Sequence, residues 1–191
     1  MIIKMLLMLT LNFDPFPLIT TERLILKQVD KNDANEIFFL RSDEEVLKYL
    51  DKAPAKSIEE ALLFIDNITY SQKNTECITW AIVFKGSSNL IGTICLWNIQ
   101  KQNYRAEIGY VLHPQYQGKG IMQEAMIKVL EYGFSVMKLH SLEGNVNPYN
   151  TSSIKLLERN NFIKEAYFKE NLFYDGKFVD TVIYSLLSPH E

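Results

Sequence analysis

Apolar positions change period along the chain, and each change marks a class of element. Over residues 21–29, Leu24 and Leu26 alternate with Arg23 and Lys27, the period of a half-buried strand. Beyond Asp33, first Ile37, Phe38 and Leu40 and then Val46, Leu47 and Leu50 predict one broken helix or two short ones. Ser57-Ile58-Glu59-Glu60 has the form of a capping box and opens a helix with Ile58, Ala61, Leu62 and Ile65 on one face. Residues 79–84 and 90–99 are β-rich runs separated by Lys85-Gly86-Ser87-Ser88-Asn89, a hairpin composition. The polar turn 100–105 leads to a third run, 106–112, so three strands with short turns predict an antiparallel meander.

The period then lengthens. From Met122 the apolar residues Ala125, Met126, Val129, Leu130, Phe134 and Met137 recur at helical spacing, with Gln123, Glu124, Lys128 and Glu131 on the other side. A strand at Ser141–Val146 follows, then the turn Asn147-Pro148-Tyr149-Asn150 and a short helix carrying Ile154, Leu156 and Leu157 up to Asn160-Asn161. Two β-rich runs, 166–174 and 178–187, close the chain around Asp175-Gly176-Lys177. Strand, helix, strand over residues 106–146 is a βαβ unit, whose strands run parallel. The expected fold is therefore α+β: one domain over residues 21–187, with a lead-in over residues 1–20. Its sheet is mixed and mostly antiparallel, with a central parallel pair flanked by helices, and it has no linker or repeat.

Composition narrows the classes of function. The 191 residues carry 20 Lys+Arg against 23 Asp+Glu, a formal charge of −3. That balance argues against sequence-independent nucleic-acid binding, which needs a dense cationic face. Two isolated cysteines, Cys77 and Cys95, exclude a disulfide-stapled scaffold and read as free thiols of a reducing cytoplasm. The apolar start, residues 1–13, is too short to span a bilayer, and no small-x-small cleavage site follows it. It reads as a buried strand or extended lead-in, with Met8 an alternative start that would place residues 1–7 outside the natural protein. No membrane partner is expected. His113, His140 and His190 share no metal-ligand spacing with the cysteines, so no metal is expected.

Only eight glycines occur, where average usage would give roughly thirteen. Two fall close together, Gly118 and Gly120, between a strand and a helix. A glycine turn at a helix start presents free N–H groups and the positive end of the dipole, a site suited to pyrophosphate. Taken alone, the same turn also reads as a tight strand-to-helix connection with no ligand. No GxxxxGK followed by Ser or Thr exists in the chain, and Gln123 stands where a dinucleotide fingerprint needs its third glycine.

Taken with its surroundings, this loop resembles the acetyl-CoA loop of the GCN5-related N-acetyltransferases, the GNAT superfamily: Gln or Arg, two residues, Gly, one residue, Gly or Ala. Gln115 through Gly120 fits as text. Gln117 through Met122 fits with Met in the last place and is preferred, because the family's glutamine follows a Pro-x-aromatic step, here Pro114-Gln115-Tyr116. Thr21-Glu22-Arg23-Leu24 resembles the opening strand of the RimJ/RimL-like branch, and Ala106-Glu107-Ile108-Gly109-Tyr110 its fourth strand. Asn150, Ser153, Leu157, Arg159 and Phe162 are similar to a further element of that branch, with Asn161 replacing a glycine at a positive-φ helix end. The closing run from Phe173 through Gly176 to Asp180 resembles its last hairpin.

The resemblance implies an acetyl-CoA-dependent N-acetyltransferase in which the parallel strands splay to admit the pantetheine arm. The backbone near Val111 or Leu112 would face the thioester carbonyl. Gln117, Gly118, Lys119, Gly120, Ile121 and Met122 would hold the pyrophosphate, and Asn150 would bond the pantetheine. Amide formation also needs a base for the acceptor ammonium and a donor near the departing thiolate. Glu107 and Glu143, on the two parallel strands, are the candidate bases, Glu107 the better placed; a water chain without a single base is the alternative. Many members use a tyrosine four residues past Ser153, but Leu157 stands there, so Ser153 is the candidate thiolate partner. Gly109 and Gly144, on the same two strands, are expected to leave room for the cofactor. The implied acceptor is an amine, either a protein N-terminus as on ribosomal proteins or a small molecule such as a polyamine, amino sugar or amino acid. A non-catalytic acetyl-CoA sensor is a further alternative, and the expected state is a monomer or homodimer in the cytoplasm.

Overall fold

A computed structural model describes residues 8–189. The reading of residues 1–7 and the residue His190 lie outside the described residues. Among the described residues, eight strands and five α-helices follow one another in the order β1 (Ile19–Thr20), β2 (Leu24–Gln28), α1 (Ala34–Ser42), α2 (Glu44–Leu47), α3 (Ile58–Lys73), β3 (Ile78–Phe84), β4 (Leu90–Gln100), β5 (Arg105–Leu112), α4 (Ile121–Ser135), β6 (Ser141–Val146), α5 (Thr151–Arg159), β7 (Ile163–Tyr174) and β8 (Lys177–Leu187). The strands form one sheet in the order β1-β2-β3-β4-β5-β6-β8-β7. All neighbours are antiparallel except β5 and β6, which run parallel as the βαβ reading expects.

Two apolar layers cover the sheet, one on each face. On the first face, Ala125, Met126, Val129 and Phe134 of α4 and Leu157 of α5 pack on Leu24, Trp80, Ile94, Leu96, Ile108 and Leu142. Leu9 and Phe13 of the lead-in join this layer, and the Trp80 indole N–H donates to the Pro17 carbonyl at 2.8 Å. On the second face, Ala34, Ile37 and Leu40 of α1 and Ala61 and Ile65 of α3 pack on Ala81 and Leu90, with Val111 against them. The helical periods of the sequence thus supply one stripe to each layer. The broken helix resolves into α1 and α2, parted at Asp43, whose carboxylate accepts from the Val46 N–H and caps the second piece.

Two local expectations change. Ser57 and Glu60 form no capping box: the Ser57 hydroxyl bonds Glu59, and the Glu60 carboxylate accepts from the Lys56 N–H at 3.0 Å, one residue outside the helix. Nor do Gly109 and Gly144 leave open room. A Cβ on Gly109 would lie 3.0 Å from Cys95 Sγ, and one on Gly144 would lie 2.9 Å from Leu157 Cδ2, so the protein's own side chains fill both spaces. Asn161 does take the positive-φ position, at φ 64°.

The tightest glycine is Gly92 on β4, where a Cβ would stand 2.5 Å from the Val111 carbonyl oxygen. Backbone cannot rotate aside as a side-chain tip can. Gly92→Ala is therefore expected to destabilise the fold by about 1–3 kcal/mol, measured as a lowered denaturant midpoint at unchanged slope. Gly86→Ala, with nothing near its Cβ but a turn φ of 81°, should cost only about 1 kcal/mol.

Candidate active site

β5 and β6 share only three aligned pairs: Arg105 with Ser141, Ala106 with Leu142, and Glu107 with Glu143. Beyond Glu107 both strands continue, β5 held by β4 and β6 by β8, while the two inner edges part. A cavity of about 830 Å³ opens there, lined by strand residues Glu107 through Val111, by Asn150 and Ser153 at the start of α5, and by the segment 49–53.

Strand alternation sorts this wall into two faces. Glu107, Gly109 and Val111 look toward the α1–α3 layer, in which Val111 is packed. Ile108, Tyr110 and Leu112 look toward the α4–α5 layer. The two carboxylates of the expected base pair fare differently. Glu143 is held in an ion pair by the Arg105 guanidinium and does not line the cavity. Glu107 lines the cavity and is largely buried. Desolvation pushes its carboxyl up to about 7, against the lowering influence of the Lys52 and Arg105 charges and a hydrogen bond with Asn98. Asn98 reaches it because β4 breaks register after Trp97, the partner of Glu107, and Asn98 itself sits at φ 48°. A carboxylate balanced near neutrality can accept a proton from an ammonium at physiological pH.

On the opposite face, Ser153 and Tyr110 both line the cavity, and burial pushes the Tyr110 phenol up to about 12 against a lowering influence of Ser153. Asn150 caps α5, its Oδ1 accepting from the Ser153 N–H at 3.1 Å, and so fixes the serine's position. Leu157, where a tyrosine was looked for, is buried against Gly144. Cys77 and Cys95 also line the cavity. Burial raises both thiols, Cys95 to about 12, so neither is a thiolate nucleophile at neutral pH.

The glycine loop lies between β5 and α4. Gly118 and Gly120 both have positive φ, 71° and 73°, which other residues adopt at a cost. Gly120 is the N-cap of α4 and no side chain caps the helix, so its first amides face outward beside the dipole's positive end. Ile121 and Met122 turn their side chains into the core, so only their backbone is offered to a ligand, which accounts for Met in place of a small residue. Gln117 closes the turn instead of pointing outward, its Nε2 donating to the Leu112 carbonyl at 3.2 Å. The Lys119 ammonium stands 5.9 Å from the Tyr116 ring centre, and the Lys119 carbonyl accepts from Arg23 at 3.1 Å. Arg23 and Glu124 brace the loop: Nε to Oε2 is 2.6 Å, and the same carboxylate accepts from the Arg23 N–H and the Thr21 hydroxyl. The open backbone, positive φ pair and uncapped helix start fit a pyrophosphate.

The sequence reading did not single out Arg23, Lys52, Asn98, Arg105 or Glu124 as site residues. Of the tryptophans of the meander, Trp80 is fully buried while Trp97 is 43% exposed at the cavity. Alternation from Glu107 places Tyr110 on the opposite face of β5.

A sequence profile described as "Acetyltransferase (GNAT) domain" matches residues 23–163. The uncharacterized N-acetyltransferase YoaA of Bacillus subtilis is 34% identical over 92% of this chain and 99% of its own. The [ribosomal protein uS5]-alanine N-acetyltransferase of Escherichia coli is 28% identical over 90% of this chain and 91% of its own. In three dimensions the chain resembles a spermidine N-acetyltransferase from Vibrio cholerae, solved in complex with CoA and spermine, with a TM-score of 0.77 and 23% identity over 86% of this chain and 95% of that one. Parted parallel strands, an open glycine loop at a helix start and an acid at the strand junction accord with these matches, and the chain belongs to the GNAT family as an acetyl-CoA-dependent N-acetyltransferase.

Proposed function

We propose that the enzyme transfers acetyl to the primary amine of a cationic small molecule, by direct attack on the thioester with Glu107 as base. The observation that carries this is Glu107 itself, a carboxylate held at about 7 inside the cavity where β5 and β6 part. The acceptor enters as an ammonium and gives a proton to Glu107. Its lone pair then attacks the carbonyl carbon, the N–C bond forms, and the C–S bond breaks with the electron pair leaving on sulfur. Backbone near Val111 or Leu112 bonds the carbonyl oxygen, the amides of Gly118 to Met122 hold the pyrophosphate with Gln117 and Lys119 shaping the loop, and Asn150 meets the pantetheine. Glu143 serves by holding Arg105 in an ion pair, which limits the arginine's lowering influence on Glu107. High-pKa Cys77 and Cys95 leave direct transfer as the simpler route, and as free thiols they suit a reducing cytoplasm.

The cavity wall supports a cationic acceptor. Asp51, Glu76 and Asp180 join Glu107 there, against Arg41 and Lys52. A second ammonium on the acceptor would meet these carboxylates, as a polyamine requires. A protein N-terminal amine is the second reading, favoured by the likeness to the uS5-alanine enzyme.

Thiol release from acetyl-CoA over a panel of polyamines, aminoglycosides, amino acids and ribosomal-protein N-terminal peptides tests the acceptor. Polyamines should give the highest kcat/KM; a peptide in that place would establish the second reading. Because the Glu107 base works ionised, kcat/KM should fall as pH drops through about 7. Glu107→Gln should remove that limb and lower the rate at pH 7.5 by about 100-fold or more; an unchanged profile would sink the assignment. Stability should respond in the opposite direction. The folded carboxyl titrates above the usual value, so its ionisation destabilises the fold progressively as pH rises from the ordinary glutamate range through about 7. Glu107→Gln should therefore raise Tm at pH 8 and leave it nearly unchanged at pH 4. Gly120→Val, which strains the loop and obstructs its amides, should weaken CoA binding by calorimetry on the order of 100-fold, the loss of two charge-assisted hydrogen bonds.

A further inference from the structure

We propose that Gln123 and Asn160 form an amide clamp that fixes the spacing between the two ends of the cofactor site, and so favours a thioester carried on whole CoA over one carried on pantetheine alone. The inference rests on the acetyl-transfer reading above and adds two positioning residues to it. Gln123 stands in the first turn of α4, the turn whose amides are offered to pyrophosphate. Asn160 closes α5 as its C-cap and is 7% exposed. Gln123 Nε2 donates to Asn160 Oδ1 at 2.8 Å, and Asn160 Nδ2 donates to Gln123 Oε1 at 3.1 Å. Asn160 Nδ2 also donates to the Leu156 carbonyl at 2.7 Å. That carbonyl can only accept, so it fixes which way the asparagine amide faces, and the glutamine amide must face the other way to match.

Placement gives the clamp its function. α5 carries Ser153 at the cavity and ends about two helical turns later, roughly 10 Å away, against α4. One rigid helix therefore reaches from the thioester end of the site to the glycine loop. The body of α5 is tied to the β6–β8 side: Leu157 packs against Gly144, and the Tyr184 hydroxyl donates to Glu158 at 3.1 Å. The start of α4 is tied to β2 instead, through Glu124 and Arg23. Between these two bodies β5 and β6 share three pairs and then part. A reciprocal amide pair from α4 to α5 resists the further opening that a split sheet permits. A cofactor held by its pyrophosphate at one end and its thioester at the other gains affinity when the two subsites are kept at its own length. A ligand that occupies one end alone gains nothing from that spacing.

The test is binding of whole CoA and of its nucleotide half by calorimetry, beside steady-state kinetics. Gln123→Met keeps the length of the side chain and its helix propensity but removes both hydrogen bonds. It should weaken CoA binding and raise KM for acetyl-CoA about tenfold, with kcat within about twofold of the parent. 3′-Phospho-ADP, the nucleotide half, should bind the variant within about twofold of the parent, and acetyl-pantetheine should keep its kcat/KM within the same margin. Gln123→Asn, one methylene too short to close both bonds, should show the same pattern and replaces the first variant where that one folds poorly. Gly176→Ala, strained at the β7–β8 turn by a φ of 76°, controls for lost stability and should leave CoA affinity unchanged. Neither amide titrates, so the loss in CoA affinity should be equal at pH 6 and pH 8. Parent enzyme that fails to bind CoA would overturn the acetyl-transfer reading. With CoA binding to the parent intact, three results would overturn the clamp alone: undiminished CoA affinity in the variants, an equal loss with the nucleotide half, or a matching loss in Gly176→Ala.

Discussion

The architecture of this enzyme depends on a strand pair that is joined for three residues and then released. Parallel pairing between β5 and β6 ends at Glu107 and Glu143, although both strands run on. Leaving a sheet open at its centre exposes backbone groups that would ordinarily pair, and unmade bonds in a covered interior are costly. The structure limits that cost by giving each strand a full ladder on its other edge, β5 with β4 through Leu112 and β6 with β8 through Val146. The gap is flanked by the β4–β5 pair on one side and the β6–β8 pair on the other. The unmatched inner edges are then the polar surface that a substrate can use.

Everything chemical is arranged about that gap. Glu107 owes its character to the strand position at which pairing stops. There it is buried enough to lose solvation, while the nearest strand cation, Arg105, is engaged by Glu143. Two carboxylates in register on adjacent strands thereby become unlike, one paired and one with its pKa raised by burial. On the far side of the gap, the start of α5 supplies Ser153, and the alternate parity of β5 supplies Tyr110. The glycine loop is fixed independently. Arg23 and Glu124 tie the second strand of the sheet to the first turn of α4, holding the glycine loop from outside while its amides stay free.

Much of this was legible in the chain before any coordinates. Periodicity placed the meander, the helices and the parallel pair, because each depends on local spacing that burial then rewards. The Gly118–Gly120 turn was legible because only glycine takes positive φ without penalty. What stayed hidden depends on contacts distant in sequence. Arg23 and Glu124 are separated by about a hundred residues, and nothing local links an arginine on one strand to a glutamate on a helix. Lys52 sits on a loop between helices, and its nearness to Glu107 is a property of the folded cavity alone. Asn98 acts through a register break that no alternation pattern signals. Ser57 and Glu60 show the converse: a local motif was present, yet the loop's path gave Glu60 a different N–H to satisfy.

Gly144 and Leu157 bring the packing and the chemistry together. The Leu157 methyls come so near the β6 backbone that a Cβ there would meet them at 2.9 and 3.0 Å. A glycine on the strand thus lets α5 lie close to the sheet, with a leucine filling the space that a longer side chain would need. One helical turn earlier on the same helix stands Ser153, capped in place by Asn150. Close docking of α5 brings Ser153 to the same cavity wall that Tyr110 lines from the neighbouring strand.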